Sequence, residues 1–291
     1  MKHGKLTPYL FLAPMIVGLL VFRLGPVFVA MLAGFSKWNI QTPPQFVGMT
    51  NYAEAISSEI FWQVTKNTVL FALLFVPGVM ILAMIMALMV NQKLRGIAFF
   101  RGLYFLPYIT AMVAVAMVWN WIFATRFGVL NHVLRTFLHI SDPPAWLADA
   151  AWALPALAIV AIWKHAGFQM LILLAGLQSI PSSLYEAAVM DGATRRAQFF
   201  KITLPLMSPV IFFVFVITVI DAFKTFDVTY AMTGGGPNYS STTLAYFIYL
   251  NAFTYGRMGY ASALAMLLLI LVAATTLVSF RMKDRFVEYA L

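Results

Sequence analysis

The sequence predicts an all-α membrane protein with six transmembrane helices, and two observations carry this prediction. The first is composition, because 62% of the 291 residues are hydrophobic, only 10% are charged and the mean hydropathy is +0.87. Soluble domains carry about 25% charged residues. The second is the arrangement of the apolar residues in long uninterrupted runs, since a helix needs about 20 of them to cross a bilayer.

Six runs are long enough to span a membrane. They are Tyr9–Phe35, Trp62–Val90, Phe99–Ala124, Ala151–Leu177, Leu204–Thr233 and Tyr260–Phe280. Several contain proline, which membrane helices tolerate where neighbouring groups satisfy the freed backbone. With no heptad array and no short repeat, the chain is expected to form one membrane domain over residues 1–291, with the first helix and an outer loop at 1–61 and a core at 62–291.

Composition also excludes several classes of site. The chain has no cysteine, so disulfides and thiolate chemistry are absent, and the spacing of its four histidines is unlike that of metal ligands. We therefore expect no metal site. The net charge of +9 is attributed to basic residues in membrane loops, so no nucleic-acid partner is predicted.

The basic residues predict the orientation of the chain, because cytoplasmic loops are enriched in Lys and Arg. Six spans place both termini on one side. That side carries eleven basic residues, Lys2, Lys5, Lys93, Arg95, Arg101, Arg195, Arg196, Lys201, Arg281, Lys283 and Arg285, against Lys37, Arg126, Arg135 and Arg257 opposite, with Lys66 near a boundary. Both termini are therefore expected in the cytoplasm of a multi-pass protein of the cell (inner) membrane.

A polar segment at residues 178–209 interrupts the apolar pattern and is predicted to lie at the cytoplasmic surface. Ser183 and Glu186 fit a capping box at the start of a short helix. Gly192 is expected to end that helix in a left-handed conformation. Thr194 is expected to cap a second short helix running to about Thr203, with Pro205 near the start of the next span.

Within this segment the order Glu-Ala-Ala, three residues, Gly, nine residues and then Ile202-x-Leu204-Pro205 resembles the EAA loop of bacterial ABC importer permeases. The stretches "FVGMTNY", "LRGIAFFRGLYFLPY", "GLQSIPSSLYEAAVMDGA" and "YAMTGGGP" extend the resemblance over the whole chain. They are similar to the maltose-type carbohydrate permeases, and to the first of two paired subunits.

The resemblance implies a type I ABC importer permease fold with a short cytoplasmic coupling helix pair. It implies four kinds of protein partner or ligand: a second permease, two ATPase subunits, an extracytoplasmic solute-binding protein and a carbohydrate. The residues that it assigns to ATPase coupling are Glu186, Ala187, Ala188, Asp191, Gly192 and Arg195. The alternative is a segment that only anchors to anionic lipid.

The sequence predicts that this chain is a transport subunit and not an enzyme, with no catalytic residues of its own. It lacks the G-x-x-x-x-G-K-[ST] loop that cradles nucleotide phosphates. No cofactor is therefore expected in this chain, and ATP and Mg would be bound by the partner ATPase.

Ionisable residues inside the predicted spans indicate a path for solute, because each costs about 2.5–3.5 kcal/mol to insert unless it faces a wet cavity or a partner. Counting from family anchors, the resemblance places path residues on the fourth and fifth spans. They are Ala161, Lys164, His165, Phe168, Thr218, Asp221, Ala222 and Thr225. Structural ion pairs, such as Asp221 with Lys224, are the alternative.

The function expected from these observations is that of a transmembrane subunit of an ATP-driven importer for a di- or oligosaccharide. Two alternatives remain open. A polyol or glycerol-3-phosphate permease would use Lys164 for an anionic ligand. A proton-coupled secondary transporter would use Lys164, Asp221 and Asp227 as a proton relay, although no inverted repeat is evident.

Overall fold

The computed structural model describes residues 7–92 and 94–286. Three basic residues used to predict the orientation, Lys2, Lys5 and Lys93, lie outside these ranges. Within them, five helices are long and apolar enough to cross a membrane, and a sixth span is formed if one sharply bent pair of helices is taken together. The prediction of a helical membrane protein is therefore confirmed.

The contacts divide the chain into two compact units, Met1–Phe61 with Phe247–Ile270, and Trp62–Tyr246 with Leu271–Leu291. Within the first unit the elements are α1 (Thr7–Leu19), a π-helical turn (Leu20–Leu24), α2 (Gly25–Gly34), β1 (Ser36–Lys37), β2 (Gln45–Phe46) and α3 (Thr50–Ser57). The two short strands pair antiparallel.

Two sets of side-chain interactions connect the elements of the first unit, one at the end of α2 and one between α3 and Arg257. The amide Nδ2 of Asn51 donates to the carbonyl oxygens of Gly34 (2.9 Å) and Ser36 (3.0 Å). Glu54 accepts two hydrogen bonds from Nη2 of Arg257, at 2.5 and 2.6 Å. Asn51 thus caps the end of a helix whose last carbonyls would otherwise lack donors.

The second unit contains nearly all of the second to fifth spans, whereas the last span is divided between the units and the π-helical turn at Leu250–Thr254 lies in the first. In chain order the elements after α3 are α4 (Glu59–Val90), α5 (Ile97–Ile109), α6 (Met112–Ile122), α7 (Val129–Phe137), α8 (Ala153–Ser179), α9 (Ser182–Met190), α10 (Arg195–Gln198), a π-helical turn (Phe199–Thr203), α11 (Leu204–Phe223), α12 (Asp227–Met232), α13 (Leu244–Tyr249), a π-helical turn (Leu250–Thr254) and α14 (Met258–Phe286). Some of these cross a boundary between the units.

Helix α8 is the centre of the second unit. More than half of its apolar window is buried, whereas no residue in the apolar window of the first helical span is. Its apolar residues are spread around the whole circumference, as expected of a helix surrounded by others. A hydrophobic core cluster joins α8 to α4 and α11, through Ala83, Ala87, Val90, Met170, Leu173, Leu174, Leu177, Met207 and Val214.

Two predicted spans differ from the structure. The run Phe99–Ala124 is not one helix, because α5 and α6 meet at an angle of 95°. The fifth span begins earlier than predicted, at Arg195, and ends at Phe223. Asp227 therefore begins the separate short helix α12. Apolar composition alone does not reveal a break when the residues on both sides of it are equally hydrophobic.

Helices α5 and α8 approach each other closely at one glycine. A Cβ atom on Gly167 would lie only 1.9 Å from the carbonyl oxygen of Tyr104. No real side chain can adopt such a contact, so any other residue at this position must push the two backbones apart. Gly102, on α5, has nothing within 4 Å of the equivalent position.

We expect Gly167→Ala to lower the thermal stability of the detergent-solubilised protein, because overpacking of this kind costs about 1–3 kcal/mol. Gly102→Ala is the matched control, and it should be neutral or slightly stabilising because alanine favours helix formation. Thermal unfolding monitored by size-exclusion chromatography would compare the two. Equal stability of the two variants would contradict the close approach of α5 to α8.

Candidate functional site

The polar segment begins differently from the predicted capping box. Helix α9 starts at Ser182 with Pro181 as its N-cap, and no side chain caps it. Ser183 therefore lies inside the first turn, where its hydroxyl is not in position to receive the N–H groups that an N-cap residue binds. The predicted capping box of Ser183 and Glu186 is therefore wrong, and Glu186 has no capping role.

The end of α9 agrees with the prediction. Gly192 has a φ angle of +74°, which glycine adopts without steric cost. The amide of Ala193 donates to the carbonyl of Ala188 at 2.8 Å, and the amide of Gly192 donates to that of Val189 at 3.0 Å. This pair of bonds is the Schellman motif. Gly192 is therefore the joint at which the chain leaves α9.

The second short helix is capped as predicted, because the hydroxyl of Thr194 accepts from the amide of Ala197 at 3.3 Å. It does not end at Thr203, however. Helix α10 runs through the π-helical turn into α11 without interruption, so the part of the polar segment that begins at Arg195 forms one continuous helix with the fifth span. The hydroxyls of Tyr185 and Thr203, 2.9 Å apart, connect α9 to this helix.

The residues assigned to coupling form an exposed polar surface. Glu186, Ala187, Asp191, Gly192 and Arg195 are exposed, and Ala188 is half-buried. Within the described ranges the charged side chains among them make no ion pair or side-chain hydrogen bond. Two large apolar side chains, Val189 and Met190, are also exposed on α9. Unpaired charges beside exposed apolar groups are typical of a surface that binds a protein.

Seven of the eight predicted path residues separate into two groups, and Lys164 is described below. Ala161, Thr218 and Ala222 are buried by this chain's own packing, and the hydroxyl of Thr218 donates to the carbonyl of Val214 on the same helix. In this structure these three pack helices together and do not face an open path. The half-buried residues, which keep an accessible face, are His165, Phe168, Asp221 and Thr225.

Lys164 is nearly buried, with 8% of its surface exposed, and its ammonium group is fully occupied. Nζ donates to the carbonyl oxygens of Pro107 (3.2 Å), Tyr108 (3.1 Å) and Thr110 (2.6 Å). An ammonium has three protons to donate. All three donors of this ammonium group are therefore used within the chain in this structure.

An aromatic cluster that the sequence did not predict surrounds His165. The ring of Tyr108 stacks on that of Phe168, with centroids 4.6 Å apart and planes inclined by 11°. The rings of Tyr108 and Phe75 each pack edge-to-face with the imidazole of His165, with centroid distances of 5.8 and 5.3 Å. Tyr108 follows a proline inside an apolar run, which is a weak signal of a special position, and nothing in the sequence distinguishes Phe75.

Two polar atoms on α8 are buried without a hydrogen-bond partner, Nδ1 of His165 and Oε1 of Gln169. The two residues are four apart, so they lie on one face of the helix. Buried polar atoms in folded proteins are nearly always hydrogen-bonded, and an exception calls for an explanation such as a ligand. Gln169 is a site residue that sequence reasoning missed, although its spacing from His165 was a usable signal.

The expected ion pair between Asp221 and Lys224 does not form. In the described part of the chain the ion pair is that of Glu54 with Arg257. Asp221 is instead close enough to His165 to interact electrostatically, and its carbonyl accepts from the hydroxyl of Thr225 at 3.1 Å. In residues 7–92 and 94–286, no group of three or more His, Asp or Glu side chains could hold a metal ion.

Comparison with known proteins agrees with this geometry. The chain is 36% identical to the sulfoquinovosyl glycerol transport system permease protein SmoG of Agrobacterium fabrum, over 95% of this chain and 90% of that protein. It is 34% identical to the trehalose/maltose transport system permease protein MalF of Thermococcus litoralis, over 95% and 93%.

A solved structure has the same fold. A chain of the bacterial alginate ABC transporter, crystallised in complex with an alginate pentasaccharide-bound periplasmic protein, superposes with a TM-score of 0.82. The two chains share 25% identity, and the superposition covers 97% of this chain and 96% of the other. Residues 78–287 match the family described as the binding-protein-dependent transport system inner membrane component. The chain therefore belongs to this family, as a type I permease subunit of an ABC importer.

Proposed function

We propose that the solute carried by this permease is a neutral di- or oligosaccharide. Support comes from the half-buried path residues, which combine an aromatic face on Phe168 with hydrogen-bonding groups on His165, Asp221 and Thr225. Sugars offer apolar ring faces and hydroxyls that both donate and accept, so they suit such a surface. The trehalose/maltose permease among the relatives is consistent with this substrate class.

The occupied ammonium of Lys164 is the observation that favours a neutral solute over glycerol-3-phosphate or another anion. An anionic ligand needs a cation or several free N–H groups. His165 instead interacts electrostatically with two carboxyls, those of Asp221 and Asp227. Membership of the ABC importer family also removes the reason to consider a proton relay through Lys164, Asp221 and Asp227.

The exposed polar surface on α9 is the proposed joint with the energy-supplying subunits. In this proposal the chain pairs with a second permease and with two ATPase subunits, and a solute-binding protein delivers the sugar on the opposite side. Glu186, Asp191 and Arg195 would contact an ATPase subunit, because their charges are exposed and unpaired in the described structure. ATP and Mg would be bound by that partner.

The orientation is tested with single cysteines in this cysteine-free chain. An impermeant maleimide is applied to cells whose outer membrane is permeabilised and whose inner membrane is intact. We expect it to label Gln45→Cys and not Arg195→Cys. Both positions are exposed in the structure, so accessibility to solvent does not limit either reaction. The asymmetry of basic residues is the reason for this expectation. Labelling of Arg195→Cys under these conditions would reverse the proposed orientation.

The coupling joint is tested at Gly192. We expect Gly192→Val to uncouple ATP hydrolysis from uptake, because a β-branched residue is strongly disfavoured at a φ angle of +74°. No atom lies within 4 Å of the position of an added Cβ, so the effect is conformational and not a clash. Glu186→Ala should have a milder effect, because it removes one contact and no backbone constraint.

Gly192→Asn is the matched control, since asparagine tolerates the left-handed region better than other non-glycine residues. ATPase activity stimulated by the binding protein and sugar uptake would be measured together in proteoliposomes. Gly192→Val should lose uptake by a much larger factor than Gly192→Asn. Full coupling in an intact Gly192→Val complex would show that the segment is only a surface anchor.

The solute path is tested at Asp221. We expect Asp221→Asn to reduce uptake of a neutral saccharide while leaving assembly with the ATPase unchanged, because the amide keeps the size but loses the charge and one acceptor. Lys224→Met is the control, since Lys224 is exposed and forms no ion pair in the described structure. Transport at the wild-type rate in Asp221→Asn would exclude this carboxyl from the path.

A further inference from the structure

The break between α5 and α6 leaves backbone carbonyl groups exposed inside a membrane span. Helix α5 ends at Ile109, α6 begins at Met112, and the axes differ by 95°. The last four carbonyls of any α-helix have no partner within the helix. Water would satisfy them at a protein surface, but the hydrocarbon core supplies none, and each unsatisfied group costs several kcal/mol there.

The structure shows where these carbonyls find donors. The hydroxyl of Thr110 donates to Leu106 at 2.9 Å, and its amide donates to Pro107 at 3.3 Å. The carbonyls of Pro107, Tyr108 and Thr110 all accept from the ammonium of Lys164. A positive charge at a helix C-terminus also interacts favourably with the helix dipole. Lys164 therefore caps the broken span from a neighbouring helix.

Gly167 allows this cap to form. It lies three residues after Lys164, so both face α5 from the same side of α8. Without a side chain at Gly167 the backbone of α8 touches Tyr104, which brings the Lys164 side chain within reach of the carbonyls that follow. In the four-residue pattern Lys-x-x-Gly, the glycine thus allows the close approach and the lysine supplies the donor.

The carbonyl that Lys164 caps and an aromatic ring of the proposed path belong to the same residue, Tyr108. That ring stacks on Phe168 and meets the edge of His165, and both of these are residues of the proposed path. Tyr108 is thus hydrogen-bonded to Lys164 through its carbonyl oxygen and contacts the proposed path through its aromatic ring. A change in the cap would displace the ring from the surface that the solute meets.

We propose that Lys164 is a positioning residue, which caps the break between α5 and α6 and thereby holds Tyr108 against Phe168 and His165, without contacting the solute itself. The part that concerns the solute path rests on the proposed function. The capping part does not, because it follows from the contacts within this chain alone.

The test uses the complete transporter in proteoliposomes and a single cysteine at Ala111, which is exposed between α5 and α6. The rate of labelling by a small membrane-permeant thiol reagent is measured without solute or binding protein. Lys164→Met should change this rate by about tenfold, because hydrogen bonds from a charged donor to three carbonyls are lost. Lys66→Met, which removes an exposed lysine on α4, should leave it unchanged.

A solute ligand and a positioning residue give different results in this experiment. If Lys164 contacted the solute, Lys164→Met would raise the KM for uptake and leave solute-free labelling unchanged, and that result would overturn the proposal. Lys164→Arg retains several donors, so it should restore labelling toward the wild-type rate. If Lys164→Met does not assemble, Lys164→Gln, with two donors and no charge, replaces it, and an unchanged labelling rate in the assembled Gln variant would overturn the cap.

Uptake of a neutral disaccharide, measured on the same variants, separates this inference from the proposed function. Altered labelling with reduced maximal uptake supports the positioning role. Altered labelling with normal uptake would overturn the link from the cap to the path, while the function in import would stand. Absence of saccharide uptake in the wild-type transporter would instead overturn the proposed substrate, and the labelling result would still decide whether Lys164 caps the break.

Discussion

The requirement that every backbone polar group inside a membrane finds a partner within the protein governs this structure. Regular helices meet it automatically, so five of the spans need no special residues along most of their length. The sharp break between α5 and α6 does not meet it. The residues that repair the break, Thr110 and Lys164, occupy positions where a charge or hydroxyl would otherwise be costly.

A buried lysine is stable here because its environment offers oriented carbonyl dipoles in place of water. Transfer of an unpaired ammonium into an apolar medium is prohibitive, and three hydrogen bonds reverse much of that cost. The same arrangement makes the site intolerant of change, since removal of the lysine takes a donor from three carbonyls, of which that of Pro107 keeps the amide of Thr110 as a partner. Charge within a span can thus have a structural role and still be tied to function through the side chain it positions.

Much of the architecture could be predicted from the sequence, because apolar run length and glycine conformation are local properties. Run length located four of the six spans to within a few residues at both ends, and the glycine pattern predicted the left-handed joint at Gly192. The resemblance carried by the Glu186-Ala-Ala pattern identified the family, which the matches confirm.

What could not be predicted depends on partners distant in sequence. Lys164 and the carbonyl of Pro107 are 57 residues apart, and no periodicity links them. For the same reason the burial of Thr218 and Ala222 against this chain's own helices was missed. The capping box failed for a local reason, since Pro181 took the N-cap position and moved Ser183 into the helix. Because Ser182 and Ser183 are adjacent, the sequence pattern does not decide at which residue the helix begins.

Exposure has different meanings in the two environments that this chain meets. Apolar residues exposed along α1 and α2 face a region where lipid can cover them, so they do not identify a protein partner. Charged residues exposed and unpaired beside Val189 and Met190 on α9 lie where lipid tails cannot cover the charges and water does not favour the apolar groups. A protein surface can satisfy both kinds of group at once, which is why we place the proposed joint with the ATPase on the polar segment and not on the larger apolar surface.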